Sequence, residues 1–177
     1  RARPGIVEWY RSRGRPRWLA GPERLLAVRT PGVKPTRVLV GDVPTGGTAG
    51  EVTLAAAPDA DWLAVYERDV PADVLCSVVD GEVVFASEPG VVVGRGAVTQ
   101  ALDGTRWLGI AAVRVAPEFR RQGHARRVCA ALLAWGAEQG AARAYVQVLS
   151  DNGAANSLYA SLGFHLHHRH RYVEAGE

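Results

Sequence analysis

Two periodicities divide the chain. Between residues 82 and 115 apolar and polar positions alternate in EVVFASE (82 to 88), VVVGRGAVTQAL (91 to 102) and RWLGIAAVRV (106 to 115), separated by the turn residues SEPG and LDGT. This pattern predicts three strands joined as antiparallel neighbours. From residue 117 the period lengthens: Val128, Ala131, Leu132 and Trp135 fall at 0, +3, +4 and +7, one apolar stripe on a helix that Gly140 ends. ARAYVQVLS then predicts a strand, DNGAANSLYASLG a helix with Ala155, Leu158 and Leu162 on one side, and FHLHHRHRYVEA a terminal strand.

Ahead of this region EVTLAAA (51 to 57) reads as a strand. PDADWLAVYERD reads as a helix capped by Asp59 or Asp61, and PADVLCSVVDG as a second helix from Pro71 to Gly81. The order is strand, two helices, three strands, helix, strand, helix, strand. A helix between two strands implies a parallel pair in an otherwise antiparallel sheet, so the fold class expected is mixed α/β. GDVPTGGTAG (41 to 50) carries no apolar period and reads as a linker, which sets residues 1 to 40 apart from a domain at 51 to 177.

Length and composition narrow the class. The chain has 177 residues, 47% apolar and 22% charged, which suits one full domain burying about two thirds of its unfolded surface. Disorder and collagen-like repeats are excluded. No apolar run approaches the roughly 20 residues that span a bilayer, and no signal-peptide segment follows the Arg-rich start, so a cytoplasmic protein without a membrane partner is expected. Cys76 and Cys129 stand 53 residues apart with no CxxC pairing, suggesting neither a disulfide framework nor a zinc site. Met is absent even at position 1, which reads as a fragment or a processed chain.

The net charge of +3 is unevenly spread. Residues 1 to 37 carry ten Lys and Arg against Glu8 and Glu23, whereas the remainder carries 11 against 16 acidic residues. This basic arm lacks regular aromatic interleaving, so docking on the acidic remainder is its plainer reading and nucleic-acid contact the alternative. Within it WYRSRGR (9 to 15) aligns on LYASLGF (158 to 164), matching Tyr10, Ser12 and Gly14 with Tyr159, Ser161 and Gly163. If the echo is real, residues 1 to 40 are the closing helix and strands of a degenerate copy of the same domain.

The chemistry concentrates in VRVAPEFRRQGHARRV, residues 113 to 128. A strand ends at Val115, Pro117 stops it, and a glycine with small neighbours opens a helix. The free backbone N–H groups of Gln122, Gly123, His124, Ala125 and Arg126 then converge with the positive end of the helix dipole behind them. Gly123 admits a ligand to the main chain, Ala125 keeps the next position small, and Arg120, Arg121 and Arg126 supply charge suited to a diphosphate. The spacing is not that of a nucleoside-triphosphate loop, so no Mg²⁺ is implied.

Arg120, Gly123 and Ala125, in the order R-x-x-G-x-A after the strand ending VRV, resemble the acetyl-CoA signature of the GNAT superfamily of N-acetyltransferases. SDNGAANSLYASLGF (150 to 164) looks like the second motif of that superfamily. The resemblance covers about residues 51 to 174. It implies a GNAT-type fold in which the fourth and fifth strands splay apart, with pantetheine bonded to the fourth strand at Val113, Arg114 and Val115. It places the diphosphate at Arg121 through Arg126, with Arg120 as the motif's first residue, and brings in Asn152, Asn156 and Tyr159. Asn156 and Tyr159, three apart on a helix, are expected to face one cleft.

The implied reaction is direct transfer of the acetyl group of acetyl-CoA to a primary amine, with Tyr159 as the proton donor to the departing thiolate. A tyrosine of pKa about 10 can protonate a thiolate of pKa about 8.5 only through its position. The backbone N–H near Val113 is the expected polariser of the carbonyl. For the base, Glu67, Asp69, Glu82, Glu88 or a water relay remain open. In the tail, a His or Tyr of the last strand could help select the acceptor; two His at i and i+2 lack a third metal ligand, so no metal is expected. The expected partners are acetyl-CoA and an amine acceptor, and a homodimer is compatible with the sequence. A non-catalytic acyl-CoA-binding module is the alternative function.

Overall fold

A computed structural model describes residues 4–14, 18–25, 32–45 and 51–174. Its elements in chain order are α1 (Pro4–Arg11), β1 (Trp18–Pro22), β2 (Val33–Asp42), β3 (Thr53–Ala55), α2 (Ala60–Tyr66), α3 (Ala72–Cys76), β4 (Gly81–Glu88), β5 (Val92–Gln100), β6 (Arg106–Val115), α4 (His124–Glu138), β7 (Arg143–Leu149), α5 (Gly153–Ser161) and β8 (His165–Glu174). The strands form one eight-stranded sheet in the order β1-β8-β2-β7-β6-β5-β4-β3. Neighbours are antiparallel except β6 and β7, which run parallel from Trp107↔Arg143 to Ile110↔Val146. The mixed α/β class with one parallel pair is the one the sequence pattern predicts.

α4 packs across β4, β5 and β6 and buries Val128, Ala131 and Leu132 completely. The helix comes this close because β5 carries Gly94, where a Cβ would lie 2.6 Å from Val128 Cγ1. The opposite face of the sheet is covered by α2 and α3, whose Trp62, Val65, Tyr66 and Leu75 pack with Phe85 and Val93. Asp59 caps α2 by accepting the Trp62 N–H at 2.7 Å, and the Trp62 indole donates to the Ala86 carbonyl at 3.1 Å, so a buried polar group keeps its partner.

Three elements depart from the periodicities. α3 is five residues long rather than the span predicted from Pro71 to Gly81. Arg95 donates to the carbonyls of Leu75 at 2.6 Å and Ser77 at 3.0 Å, groups that a continuing helix would have used itself. β1 and β2, from the segment read as a basic arm, are hydrogen-bonded inside the sheet: β2 lies between β7 and β8, from Thr36↔Leu149 to Asp42↔Arg143 on one side and from Val33↔Tyr172 to Val40↔His165 on the other. Its Val38, Leu39 and Val40 are all buried, as suits a strand covered on both faces. Of the segment read as a linker, Gly41 and Asp42 end β2, and residues 46–50 lie outside the described residues.

β6 bends in its second half. Ala112 has φ +55°, and the β5–β6 register shifts between Val93 and Arg95, which marks a bulge. Parallel pairing with β7 stops at Ile110, so the backbone of β6 from Val113 to Val115 parts from β7 while it stays paired to β5 on its other edge.

Candidate active site

The turn after β6 leaves backbone N–H groups free at the start of α4. Arg121 and Gly123 both have positive φ, +63° and +84°, and this left-handed turn aims the chain into α4. The first intrahelical bond of α4 runs from the Arg127 N–H to the Gly123 carbonyl at 3.1 Å. The N–H groups of His124, Ala125 and Arg126 therefore have no partner within the helix and point out of its positive end.

Side chains fix this turn from two directions. Glu88, the last residue of β4, accepts from Arg127 Nε at 2.7 Å and Nη2 at 3.0 Å, and its Oε2 lies 2.5 Å from His124 Nδ1. The Arg127 hydrogen bonds hold the Glu88 carboxyl below the usual carboxylate range, with partial burial opposing them and His124 adding to them. On the other side Arg126 Nη1 donates to Ser161 Oγ at 2.8 Å, tying α4 to the end of α5.

A cavity of about 1120 Å³ opens along this turn. Among the residues singled out from the sequence, Val113, Arg114, Val115, Arg120, Arg121, Gly123, His124, Ala125, Arg126, Asn152 and Tyr159 line it. Gln122 and Asn156 do not. Gln122 turns back to donate to the Glu118 carbonyl at 3.2 Å. Asn156 spends its amide on the carbonyls of Asn152 at 2.7 Å and Leu149 at 3.2 Å, so the helix face shared with Tyr159 does not bring it into the cleft. Asn152 caps α5, accepting the Ala155 N–H at 3.1 Å.

A second cavity, of about 750 Å³, continues through the gap between β6 and β7 to the face carrying α2. Val113, Arg114, Asn152, Ala155 and Tyr159 line both spaces, so Tyr159 stands at their junction. Burial and the neighbouring Cys129 thiol raise the Tyr159 pKa well above the ordinary tyrosine value. Cys129, itself fully buried, is pushed up to about 12. The ring of Tyr159 rests edge-on against Phe164, 5.6 Å between centroids.

No carboxylate among the described residues lines either cavity. Glu67 is ion-paired to Arg114, Glu82 to Arg106 at 2.7 Å, and Glu88 to Arg127. The β8 histidines line neither cavity. Sequence reasoning missed Lys34, Tyr66, Arg68, Arg95, Gly109 and Tyr145 on the second cavity. For Arg95 a signal existed, as the single charge inside the apolar run VVVGRGAV.

The splayed parallel strands, the glycine turn into α4 and the cleft closed by α5 define a fold of the GNAT acetyltransferase type. The chain belongs to the family described as "Probable histone acetyltransferase Rv0428c C-terminal", whose model matches residues 1–173. It is 47% identical over 173 residues to the Mycobacterium tuberculosis protein named "Probable histone acetyltransferase Rv0428c", covering 96% of this chain and 57% of that protein. The chain thus spans little more than half of that relative. The Bacillus subtilis "Uncharacterized N-acetyltransferase YobR" is 32% identical over 108 residues, 61% of this chain and 39% of that protein. In fold, the GCN5-related N-acetyltransferase from Kribbella flavida superposes with a TM-score of 0.65 at 20% identity, over 97% of this chain and 73% of that one.

Proposed function

We propose that the domain transfers the acetyl group of acetyl-CoA to a primary amine by direct attack. The observation that carries this reading is the pair of cavities meeting at Tyr159, one along the anion-binding turn and the other on the far side of the splayed strands. A diphosphate suits the free N–H groups of the first turn of α4 together with Arg120, Arg121 and Arg126. The unpaired edge of β6 from Val113 to Val115 offers backbone groups to the amides of a pantetheine arm. When bound, acetyl-CoA supplies an activated thioester.

The protein's part is to position and to move protons. The Val113 N–H polarises the thioester carbonyl. Tyr159, kept protonated by burial, donates to the departing thiolate, which demands short-range placement because the proton moves from a weaker acid to the conjugate base of a stronger one. With no carboxylate at hand among the described residues, the amine loses its proton through water or within a pocket that disfavours its charge.

The test is free-thiol release from acetyl-CoA in the presence of an amine, with mass spectrometry of the amine for the added acetyl group. Acetylated product dependent on the protein supports the reading. Tight acetyl-CoA binding with no product from any amine class favours the alternative of a non-catalytic acyl-CoA-binding module.

A further inference from the structure

The charged residues that line the second cavity are all cationic. Lys34 from β2, Arg68 just after α2, Arg95 from β5 and Arg114 from β6 all border it. Arg114 alone among them has an acidic partner, Glu67; among the described residues no carboxylate lies within ion-pair distance of Lys34, Arg68 or Arg95. Arg95 is half-buried and anchored by two carbonyls, so its charge is fixed in place. Desolvation, the first cause, lowers its pKa from the ordinary arginine value, yet a guanidinium stays charged at any working pH. Arg68 lies over the face of Tyr66, 5.9 Å from guanidinium carbon to ring centroid, and Tyr66 and Tyr145 line the same cavity.

Such a lining repels a polycation and attracts an anion. It also affects the nucleophile. A cationic surround disfavours an ammonium and so lowers its pKa; a drop of about two units would raise the neutral fraction at pH 7 about a hundredfold. The pocket can thereby take over part of the work of the missing carboxylate base.

Resting on the proposed transferase reading, we infer that the acceptor is an amine bearing a carboxylate, which Lys34, Arg68 and Arg95 hold while the amine points to Tyr159. The shared chemistry is an amino carboxylate, whether a free amino acid or the acidic end of a peptide. Lysine-rich peptides, polyamines and aminoglycosides are disfavoured.

The experiment uses three amines that differ only at the far end: 6-aminohexanoate, hexylamine and 1,6-diaminohexane. With acetyl-CoA saturating, kcat/KM falls in that order, at least tenfold from first to last. The Lys34→Gln/Arg68→Gln double variant flattens the series while binding acetyl-CoA as before. Glutamate and a peptide beginning Asp-Glu then separate free from peptide-borne carboxylates. Equal or better use of the diamine, or no use of aminohexanoate by protein that binds acetyl-CoA, overturns the inference. Failure to bind acetyl-CoA overturns the transferase reading instead; calorimetry of aminohexanoate against diaminohexane on the same protein then decides this inference, with preference for the diamine or no binding of either counting against it.

Discussion

A Cβ on Gly109 would meet the Tyr145 hydroxyl at 2.8 Å, so the bare backbone of β6 is what lets the Tyr145 ring lie across that strand. Both residues line the second cavity. In Gly109→Ala the ring must swing, and because Tyr145 is 37% exposed it has room to do so, at a cost of about 1 to 2 kcal/mol. The expected outcome is a folded protein whose KM for the acceptor rises about tenfold while acetyl-CoA affinity is unchanged. Steady-state kinetics beside an acetyl-CoA titration checks it; a matching loss in acetyl-CoA affinity would show that the cavity does not belong to the acceptor.

Tyr159→Phe removes the hydroxyl and keeps the ring against Phe164. A general acid contributes about 10² to 10⁴ in rate, so kcat should fall by at least about 10² with acetyl-CoA affinity nearly unchanged. Burial raises the pKa of this tyrosine, so its deprotonation should add no alkaline limb to the pH profile of kcat up to the ordinary tyrosine pKa of about 10. A limb that vanishes in the variant would contradict that.

Glu88 ties β4 to the turn before α4 through Arg127 and His124. Its folded pKa is depressed, so the stability it contributes is present above its unfolded pKa of about 4.3 and is lost as pH falls through the lower folded value. Glu88→Gln should cost about 1 to 3 kcal/mol at neutral pH, and its deficit should shrink as pH falls below about 4. Urea melts across pH test this; a deficit that stays constant into acid would rule out the ion pair as its source.

Cys129 is fully buried and its thiol is pushed up to about 12 by burial, whereas Cys76 is partly exposed. A thiol reagent at neutral pH should label Cys76 alone in the folded protein and both cysteines in urea. Equal labelling of the two without denaturant would mean that the core around Tyr159 opens readily.

How much of this was legible depended on whether the signal was local. The turn at Gly123 announces itself because the strand, the proline, the glycine and the helical stripe from Val128 to Trp135 are contiguous, and hydrogen bonding within a few residues decides the geometry. β2 is not local. Its apolar run is only Val38 to Val40, preceded by Lys34 and Pro35, and both of its neighbours, β7 and β8, come from the far end of the chain. Asn156 shows the limit of helical spacing as a guide: the i, i+3 relation to Tyr159 is correct, but its amide donates to the Leu149 and Asn152 carbonyls at the start of α5. The second cavity gathers Lys34, Arg68, Arg95 and Tyr145 from four separate segments, a grouping that only the sheet order produces.

The proposed activity depends above all on the first turn of α4 binding the diphosphate of acetyl-CoA. Gly123→Glu places a carboxylate at that turn and, at φ +84°, adds backbone strain of about 1 to 2 kcal/mol; Gly123→Ala carries the same strain without the charge. Calorimetric titration of acetyl-CoA into the native chain and both variants, each shown to be folded by circular dichroism, isolates the effect. The expected result is saturable one-to-one binding by the native chain, weakened binding by the alanine variant and none by the glutamate variant. Undiminished binding by folded Gly123→Glu, or no binding by the folded native chain, would contradict it.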